Sequence, residues 1–246
     1  MLHHSHFISK SFILKWFYLF TLLPNFLIAS VLEINLAEYD FLTPDEIDST
    51  AYEFKAYINF QDKASIPPKG YQVDYGKEFG FAAINIGEDS FKYGWLNAQT
   101  NLPYDASSDV PNNANGVGRN RLGNNYTQAS KQEKLEGTLV HFQGDNVLSA
   151  DGMRQIWSAL PRGQELFWEI ELPNGVYEVT VSLGDISNLD SRHSATIEGY
   201  TVIPAFEPEE GEVRKSSIVV YVSDGRLTLN GLGGFNSKIN YIIIES

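Results

Sequence analysis

The chain has 246 residues, with 18 Lys and Arg against 31 Asp and Glu, a net charge of −13 at pH 7 and no cysteine. An acidic surface argues against nucleic acid and anionic lipid as partners, because both carry the same sign of charge. Without cysteine there is no thiol catalysis, thiolate metal site or disulfide, so a stable fold depends on its hydrophobic core.

The first 30 residues are typical of a secretory leader. Basic residues and histidines precede an apolar run from Trp16 to Ile28, which ends in the small residues Ala29 and Ser30. The run is short and interrupted at Pro24, which makes it a poor membrane span, although an uncleaved anchor is the alternative. Cleavage would leave 16 basic and 31 acidic residues, a net charge of −15. We predict a protein that is secreted or held at the cell surface, the periplasm included.

Residues 31–51 are acidic and weakly patterned, which predicts a linker with one helical turn near Thr43 and Pro44. The predicted domain occupies residues 52–246. Alternation of bulky and polar residues predicts strands over 52–60, 71–75 and 135–143. Between them, residues 97–126 are rich in Asn, Gly and Asp, which predicts a long functional loop or a disordered one.

The clearest strand pattern lies at residues 167–172 and 176–183, where every second residue is apolar on each run. The turn at Pro173-Asn174-Gly175 predicts either a hairpin or a tight crossover between strands. A strand pair turning near Gly199 follows, then a hairpin at Asp224-Gly225 and a last strand over 239–244. About ten short strands and no convincing helix predict an antiparallel two-sheet β-sandwich of the jelly-roll kind.

Catalysis finds little support in the motifs. No nucleophile elbow, zinc-protease helix or nucleotide-binding loop is present. Outside the leader the histidines are His141, which we predict to be a core residue, and His193, which Asp190 could orient in a polar loop. A hydrolase or lyase built on His193 would need these groups to converge within hydrogen-bond reach. We predict a protein that is not an enzyme.

Sugar binding fits the segment 91–126 better. Sugars present C–H patches rimmed by hydroxyls, and their sites pair aromatic rings with amides, carboxylates or guanidinium groups. The candidate ligand-binding residues are Tyr93, Trp95, Arg119, Arg121 and Tyr126. The alternative is that Tyr93 and Trp95 are core aromatics and that the arginines tie the loop down through salt bridges.

Several segments occur in an order that is found in a known group of domains. They are Tyr57-Ile-Asn-Phe-Gln61, Pro68-Lys-Gly-Tyr-Gln-Val-Asp-Tyr-Gly76, Phe91-Lys-Tyr-Gly-Trp95, Arg119-Asn-Arg121, the run from Trp168 to Asp185, and the run from Val222 to Leu229. This order resembles the malectin-like, galactose-binding-like jelly-roll modules attached to secreted bacterial polysaccharide lyases and esterases. The resemblance covers nearly all of residues 52–245.

The resemblance implies a two-sheet sandwich that binds sugar through loops on one edge. Tyr93-Gly94 matches a Tyr-Gly pair of that pattern, while Arg119 and Arg121 match a recurrent segment in which Gly118 replaces the expected acid. Related modules often hold a structural calcium ion, for which Asp74, Asp185 and Asp190 are the candidates here. Such modules often precede a catalytic domain, so we expect either a free-standing lectin-like protein or a fragment.

Besides the hydrolase or lyase considered above, two functions remain open from the sequence. The first is a secreted, non-catalytic carbohydrate-binding module in which Tyr93 and Trp95 stack on sugar. The second is a structural or adhesion domain with the same fold and no sugar site. The second is favoured if both aromatic side chains are buried and no other aromatic residue lines a cleft.

Overall fold

A computed structural model of the chain describes residues 53–107, 116–142 and 166–246, which belong to one compact unit. The predicted leader (1–30), the acidic linker (31–51) and the helical turn near Thr43 lie outside the described residues. The middle of the predicted long loop also lies outside them.

The described ranges contain thirteen strands in two sheets. The strands are β1 (Lys55–Phe60), β2 (Gln72–Asp74), β3 (Ala82–Ile86), β4 (Asp89–Asn97), β5 (Gly118–Asn120), β6 (Thr138–His141), β7 (Leu166–Glu171), β8 (Gly175–Gly184), β9 (His193–Ile197), β10 (Tyr200–Phe206), β11 (Val213–Val222), β12 (Arg226–Asn230) and β13 (Lys238–Glu245). Sheet one has the order β11-β8-β13-β1-β2, with β6 beside β13 and β5 beside β6. Sheet two has the order β10-β9-β12-β7-β4-β3. These strand pairings are antiparallel except for β1 with β2, so the predicted all-β sandwich is confirmed.

The period of two places apolar side chains between the sheets as predicted. Trp168 and Ile170 of β7 are buried, and so are Val179 and Val181 of β8. However, β7 belongs to sheet two and β8 to sheet one, so the turn after β7 is the crossover and not the hairpin.

The predicted hairpin at Asp224-Gly225 is wrong for the same reason, since β11 and β12 lie in different sheets. A turn of this composition reverses the chain equally well within a sheet or between two facing sheets. The predicted pair around Gly199 is confirmed, because β9 and β10 are antiparallel neighbours.

Helix is present in the described part of the chain, contrary to the sequence prediction. An α-helix, α1 (Lys131–Glu136), follows a 3₁₀ turn at Gly123–Gln128 and contains Leu135, which the pattern placed in a strand. Ser130 caps α1: its Oγ accepts a hydrogen bond from the Glu133 N–H, and its own N–H donates to Glu133 Oε2 at 2.7 Å. This capping box is readable as Ser-x-x-Glu in the sequence. Among the described helices, none has the length and apolar character needed to cross a bilayer.

Large aromatic side chains fill the space between the sheets. Trp95 of β4 and Trp168 of β7 are fully buried, and Phe60 of β1 packs edge-on against both, with ring centroids 5.9 and 5.7 Å apart. Such edge-to-face pairs contribute about 0.5–1.5 kcal/mol each beyond the burial of their surface. These ring contacts join β1 of sheet one to β4 and β7 of sheet two.

Candidate functional site

Asp74, the last residue of β2, is a carboxylate buried beneath this aromatic cluster. It is 3% exposed. Its Oδ1 accepts hydrogen bonds from Trp95 Nε1 at 2.8 Å and the Gly76 N–H at 2.7 Å, and its Oδ2 accepts one from Trp168 Nε1 at 2.9 Å. Burial raises the pKa of Asp74 to about 6, against the three N–H donors, which lower it. Because both indoles come from sheet two, Asp74 joins the two sheets.

The segment that follows Asp74 is fixed against β4. The backbone N–H of Trp95 donates to the Lys77 carbonyl at 2.9 Å, and the backbone N–H of Phe79 donates to the Trp95 carbonyl at 3.0 Å. Gly94 has a φ of +144°, and a Cβ there would lie 2.5 Å from the Glu78 carbonyl oxygen. Only glycine permits this close approach. The backbone of residues 77–79 is therefore fixed against β4.

A shallow cleft of about 220 Å³ opens beside this segment. Its lining residues are Gln72, Val73, Asp74, Tyr75, Lys77, Phe81, Ala82, Ala83, Tyr93 and Gly94. Enclosed ligand pockets generally measure about 300–1,000 Å³, so this cleft covers one small unit of a ligand and does not engulf it.

Phe81 is the aromatic side chain that the cleft presents to solvent, with 56% of its surface exposed. Its ring centroid lies 6.4 Å from that of Tyr75 at an interplanar angle of 79°. The Lys77 ammonium lies 4.9 Å from the Phe81 ring centroid and forms an ion pair with Asp105. The cleft thus combines an exposed aromatic ring, an ammonium group that lies over it and the exposed amide of Gln72, while the Asp105 carboxylate pairs with that ammonium from outside the lining.

The structure places the two predicted stacking residues inside the fold. Tyr93 lines the cleft but is only 3% exposed, and its hydroxyl donates to the Val73 carbonyl at 3.0 Å. Trp95 is fully buried, with Phe142 and Phe60 against its ring. The prediction that Trp95 stacks on a surface-bound sugar is therefore wrong. Alternation along β4 turns both side chains inward.

Burial of both aromatics meets the first condition for the structural or adhesion alternative. The second condition is not met, since Tyr75 and Phe81 line a cleft.

Arg119, Arg121 and Tyr126 are not among the residues that line the cleft. Arg119 donates to the carbonyls of Gly116 and Gly118, at 2.8 and 2.6 Å. Tyr126 is buried, and its hydroxyl donates to a backbone carbonyl of the 61–68 loop at 2.6 Å. The polar groups of Arg119 and Tyr126 thus bond to the backbone, and among the described residues the predicted salt bridge is found for Arg121, with Asp185, and not for Arg119.

Arg121 belongs to a charge cluster with Asp185, Asp190 and Lys238, of which Asp185 and Lys238 are buried. It donates two hydrogen bonds to Asp185, at 2.9 and 2.6 Å. The Lys238 ammonium, 1% exposed, lies 3.0 Å from Asp185 Oδ2 and 2.8 Å from Asp190 Oδ1. Burial would raise the pKa of Asp185, but the hydrogen bonds and charges of Arg121 and Lys238 outweigh it and hold that pKa well below its usual range.

The two histidines lie in the core. His193 is fully buried, its Nδ1 accepts from the Lys238 N–H at 3.2 Å, and burial lowers its pKa to about 3. Asp190 pairs with the Lys238 ammonium, so it does not orient His193 in the way the hydrolase hypothesis requires. His141 is buried as predicted, with Nδ1 2.9 Å from Asn236 Oδ1.

The proposed calcium ligands do not form a fitting set. Both oxygens of Asp74 accept N–H donors, and an ammonium group bridges Asp185 and Asp190. Across residues 53–107, 116–142 and 166–246, no group of three or more His, Asp or Glu side chains is placed to hold a metal ion. The prediction of calcium therefore gains no support from these donors.

The sequence interpretation did not single out Tyr75, Lys77 or Phe81. A signal was available, because Phe79-Gly80-Phe81 follows Tyr75 closely and is as rich in aromatic residues around a glycine as the segment 91–95. The position of Phe81 just before β3 exposes it, since β3 is an edge strand of sheet two.

Comparison with known proteins gives distant likenesses. No family model and no curated protein matches the chain. Similar solved structures include the Bacillus subtilis protein YxiM, with 15% identity, 78% of this chain and 40% of that chain covered, and a TM-score of 0.37. They also include Bacteroides uniformis β-glucuronidase 2, with 14% identity, 78% of this chain and 17% of that chain covered, and a TM-score of 0.37.

A third similar structure is a family 35 carbohydrate-binding module from Clostridium thermocellum, with 13% identity, 32% of this chain and 68% of that chain covered, and a TM-score of 0.23. The chain spans less than half the length of the first two proteins. At these identities and TM-scores the likenesses carry no argument for function, which has to be argued from the chain's own surface.

Proposed function

We propose that this chain is a non-catalytic, malectin-like carbohydrate-binding module that holds one sugar unit of a glycan in the cleft between Tyr75 and Phe81. The observation that carries the proposal is the exposed side chain of Phe81, in a cleft that also holds the Gln72 amide and the Lys77 ammonium, which lies over the Phe81 ring. An aromatic ring suits the C–H face of a pyranose, and the polar groups can exchange hydrogen bonds with its hydroxyls.

The size of the cleft sets the expected affinity. A binding free energy of about −0.3 kcal/mol per non-hydrogen atom, summed over a single hexose, corresponds to a Kd on the order of 1 mM. Binding to an isolated monosaccharide would therefore be weak, and a surface that displays many copies of the glycan is the suitable probe.

The non-catalytic part of the proposal is supported by the state of the titratable groups at the cleft. Asp74 is covered by three N–H donors, and Lys77 is paired with Asp105. Neither is poised as a general acid or base opposite a second such group.

Secretion is the proposed route to such a ligand. It is supported by the basic start, the apolar run and the small residues that end it at Ser30. N-terminal sequencing of protein recovered from the medium of expressing cells should begin at residue 31. A start at Met1 in the membrane fraction would favour the uncleaved anchor.

A structural or adhesion role is the second candidate, favoured by an apolar patch on sheet one. Val219 and Tyr221 of β11 are 65% and 61% exposed, and Val176 on the neighbouring β8 is 59% exposed. Since β11 is the edge strand of this sheet, the patch is placed where another protein could pack.

A glycan array probed with the full chain tests the two candidates. We expect binding to a defined sugar class, reduced at least about tenfold in Phe81→Ala, the loss of one stacked ring being worth about 1.4 kcal/mol or more. Tyr200→Ala is the matched control, because Tyr200 is a 64% exposed aromatic on β10, at the opposite edge of sheet two.

Retention of binding in Phe81→Ala, with loss in Tyr221→Ala, would contradict the cleft as the site. Absence of binding to any displayed glycan would contradict the carbohydrate function and favour the structural or adhesion candidate.

A further inference from the structure

The charges around the cleft bear on which sugars it accepts, and this step rests on the proposed function. Lys77 is the single basic residue among those that line the cleft. Its ammonium forms an ion pair with Asp105, and it lies 3.9 Å from Glu78 Oε2. One positive charge is thus met by two negative ones.

Asp105 is held in position for this pairing. Its Oδ1 accepts from the Ser107 N–H at 2.9 Å and from Ser107 Oγ at 2.6 Å, which leaves Oδ2 to Lys77. Burial raises the pKa of Asp105, but the hydrogen bonds from Lys77 and Ser107 outweigh it, so the carboxylate stays ionised. The Lys77 and Asp105 side chains have 21% and 38% of their surface exposed to solvent, so a ligand can still reach both.

A charged sugar and an uncharged sugar would meet this pair differently. The carboxylate of a uronate needs a cation that is not already neutralised. To reach Lys77 it must approach the carboxylates of Asp105 and Glu78, which repel it, as does the chain's net charge of −13. A hydroxyl group needs only a donor and an acceptor, and the ion pair presents both. We infer that the cleft selects uncharged sugars, and that Asp105 determines this specificity by cancelling the charge of Lys77.

The first test compares neutral glycans with polygalacturonate displayed on the same array, at 20 mM and 500 mM NaCl. We expect the full chain to bind neutral glycans alone, with less than about a twofold change between the two salt concentrations, because no net charge is screened. Binding of the wild-type chain to polygalacturonate that is lost at high salt would overturn the inference and leave the proposed function standing.

The second test is Asp105→Asn, which keeps an oxygen for Ser107 and removes the nearer of the two negative charges from Lys77, leaving Glu78 at 3.9 Å. We expect it to gain binding to polygalacturonate at 20 mM NaCl, at least about fivefold above wild type, and to lose that gain at 500 mM. Glu210→Gln changes the net charge equally at an exposed position after β10, the edge strand of sheet two opposite β3, and should gain nothing. Lys77→Met combined with Asp105→Asn should abolish the gain.

A folded Asp105→Asn variant, with a wild-type melting curve and no gain for polygalacturonate, would contradict the role of Asp105. Failure of wild type and variants to bind any glycan would instead contradict the proposed function itself.

Discussion

Asp74 and Asp185 are both buried carboxylates at strand ends, yet the fold stabilises them in opposite ways. Asp74 has three neutral N–H donors, two of them indoles, and burial raises its pKa to about 6. Asp185 has Arg121 and Lys238 beside it, and its pKa is lowered. Dipolar donors offset only part of the cost of burying a charge, whereas two cations more than offset it.

The two environments have different consequences for the molecule. In the Asp185 cluster, Asp185 pairs with both Arg121 and Lys238, and Lys238 also pairs with Asp190, so the cluster ties the segment that carries Arg121 to the ends of β8 and β13. The Asp74 site joins the two sheets directly under the cleft, and the residues that follow Asp74 line that cleft. The first environment fixes the fold, and the second positions the proposed binding surface.

Breaking the Asp185 cluster should give the largest effect. Lys238→Met removes the ammonium that Asp185 and Asp190 share, and we expect the free energy of unfolding to fall by about 3 kcal/mol, the lower end of the cost of breaking a buried ion pair, because Asp185 keeps its two hydrogen bonds from Arg121. Urea denaturation measures this. Glu53→Gln, which removes one member of the exposed pair with Lys55, should stay within about 0.5 kcal/mol. A loss below 1 kcal/mol in Lys238→Met would contradict the coupling.

Asp74→Asn should have a smaller effect. Oδ1 has two donors and Oδ2 one, so a protonated Asp74 keeps all three hydrogen bonds, whereas an amide nitrogen in place of Oδ2 leaves the Trp168 Nε1–H without an acceptor. At pH 4 we expect a loss of about 1–3 kcal/mol. Glu88→Gln on the exposed β3–β4 turn is the control. An unchanged denaturation midpoint for Asp74→Asn would exclude this account.

The pH dependence of the same variant tests the sign of the Asp74 shift. Its folded pKa of about 6 lies above the ordinary 3.8, so the folded state binds more protons between pH 4 and 6, and the free energy of unfolding falls as pH rises. His193, shifted from 6.5 to about 3, has the opposite slope in that window.

Asp74→Asn removes the decrease in the free energy of unfolding with pH that the titration of Asp74 causes. Relative to wild type, its free energy of unfolding should therefore rise by about 2 kcal/mol in total from pH 4 to 6, with a slope that approaches about 1.4 kcal/mol per pH unit only in the middle of that window. Parallel curves for the two proteins, measured by denaturation at several pH values, would contradict the raised pKa.

The smallest effect concerns calcium. Because N–H and ammonium groups already engage Asp74, Asp185 and Asp190, we expect the melting temperature in CaCl₂ to match that in EDTA within about 1 °C. A shift of several degrees would mean that calcium binds, as the family resemblance implies, through residues other than these three.

The sequence predicted the fold because a period of two in apolar residues is a local property of each strand. The inward faces of β7 and β8 follow directly from it. It could not say whether a turn joins strands of one sheet or of two, so the predicted hairpin between β11 and β12 was wrong. The short helix α1 was missed although its capping signal is local.

The site was predicted less well, for a physical reason. Aromatic residues serve the core and a sugar site equally, and exposure separates the two roles. Tyr93 and Trp95 alternate into the core along β4, whereas Phe81 is exposed beside the edge strand β3. A stretch of sequence shows which residue types are present, whereas their exposure depends on which strands become neighbours in the fold.

The amino-acid sequence alone therefore determined the acidic charge, the absence of thiol chemistry and the all-β pattern, because each depends on residue identity or local spacing. The tertiary structure decided which aromatic ring faces solvent, which carboxylate receives cations and which receives indoles. Those outcomes depend on contacts between residues far apart in the chain, such as Asp74 with Trp168, and pairs of that kind form only when the two sheets pack together.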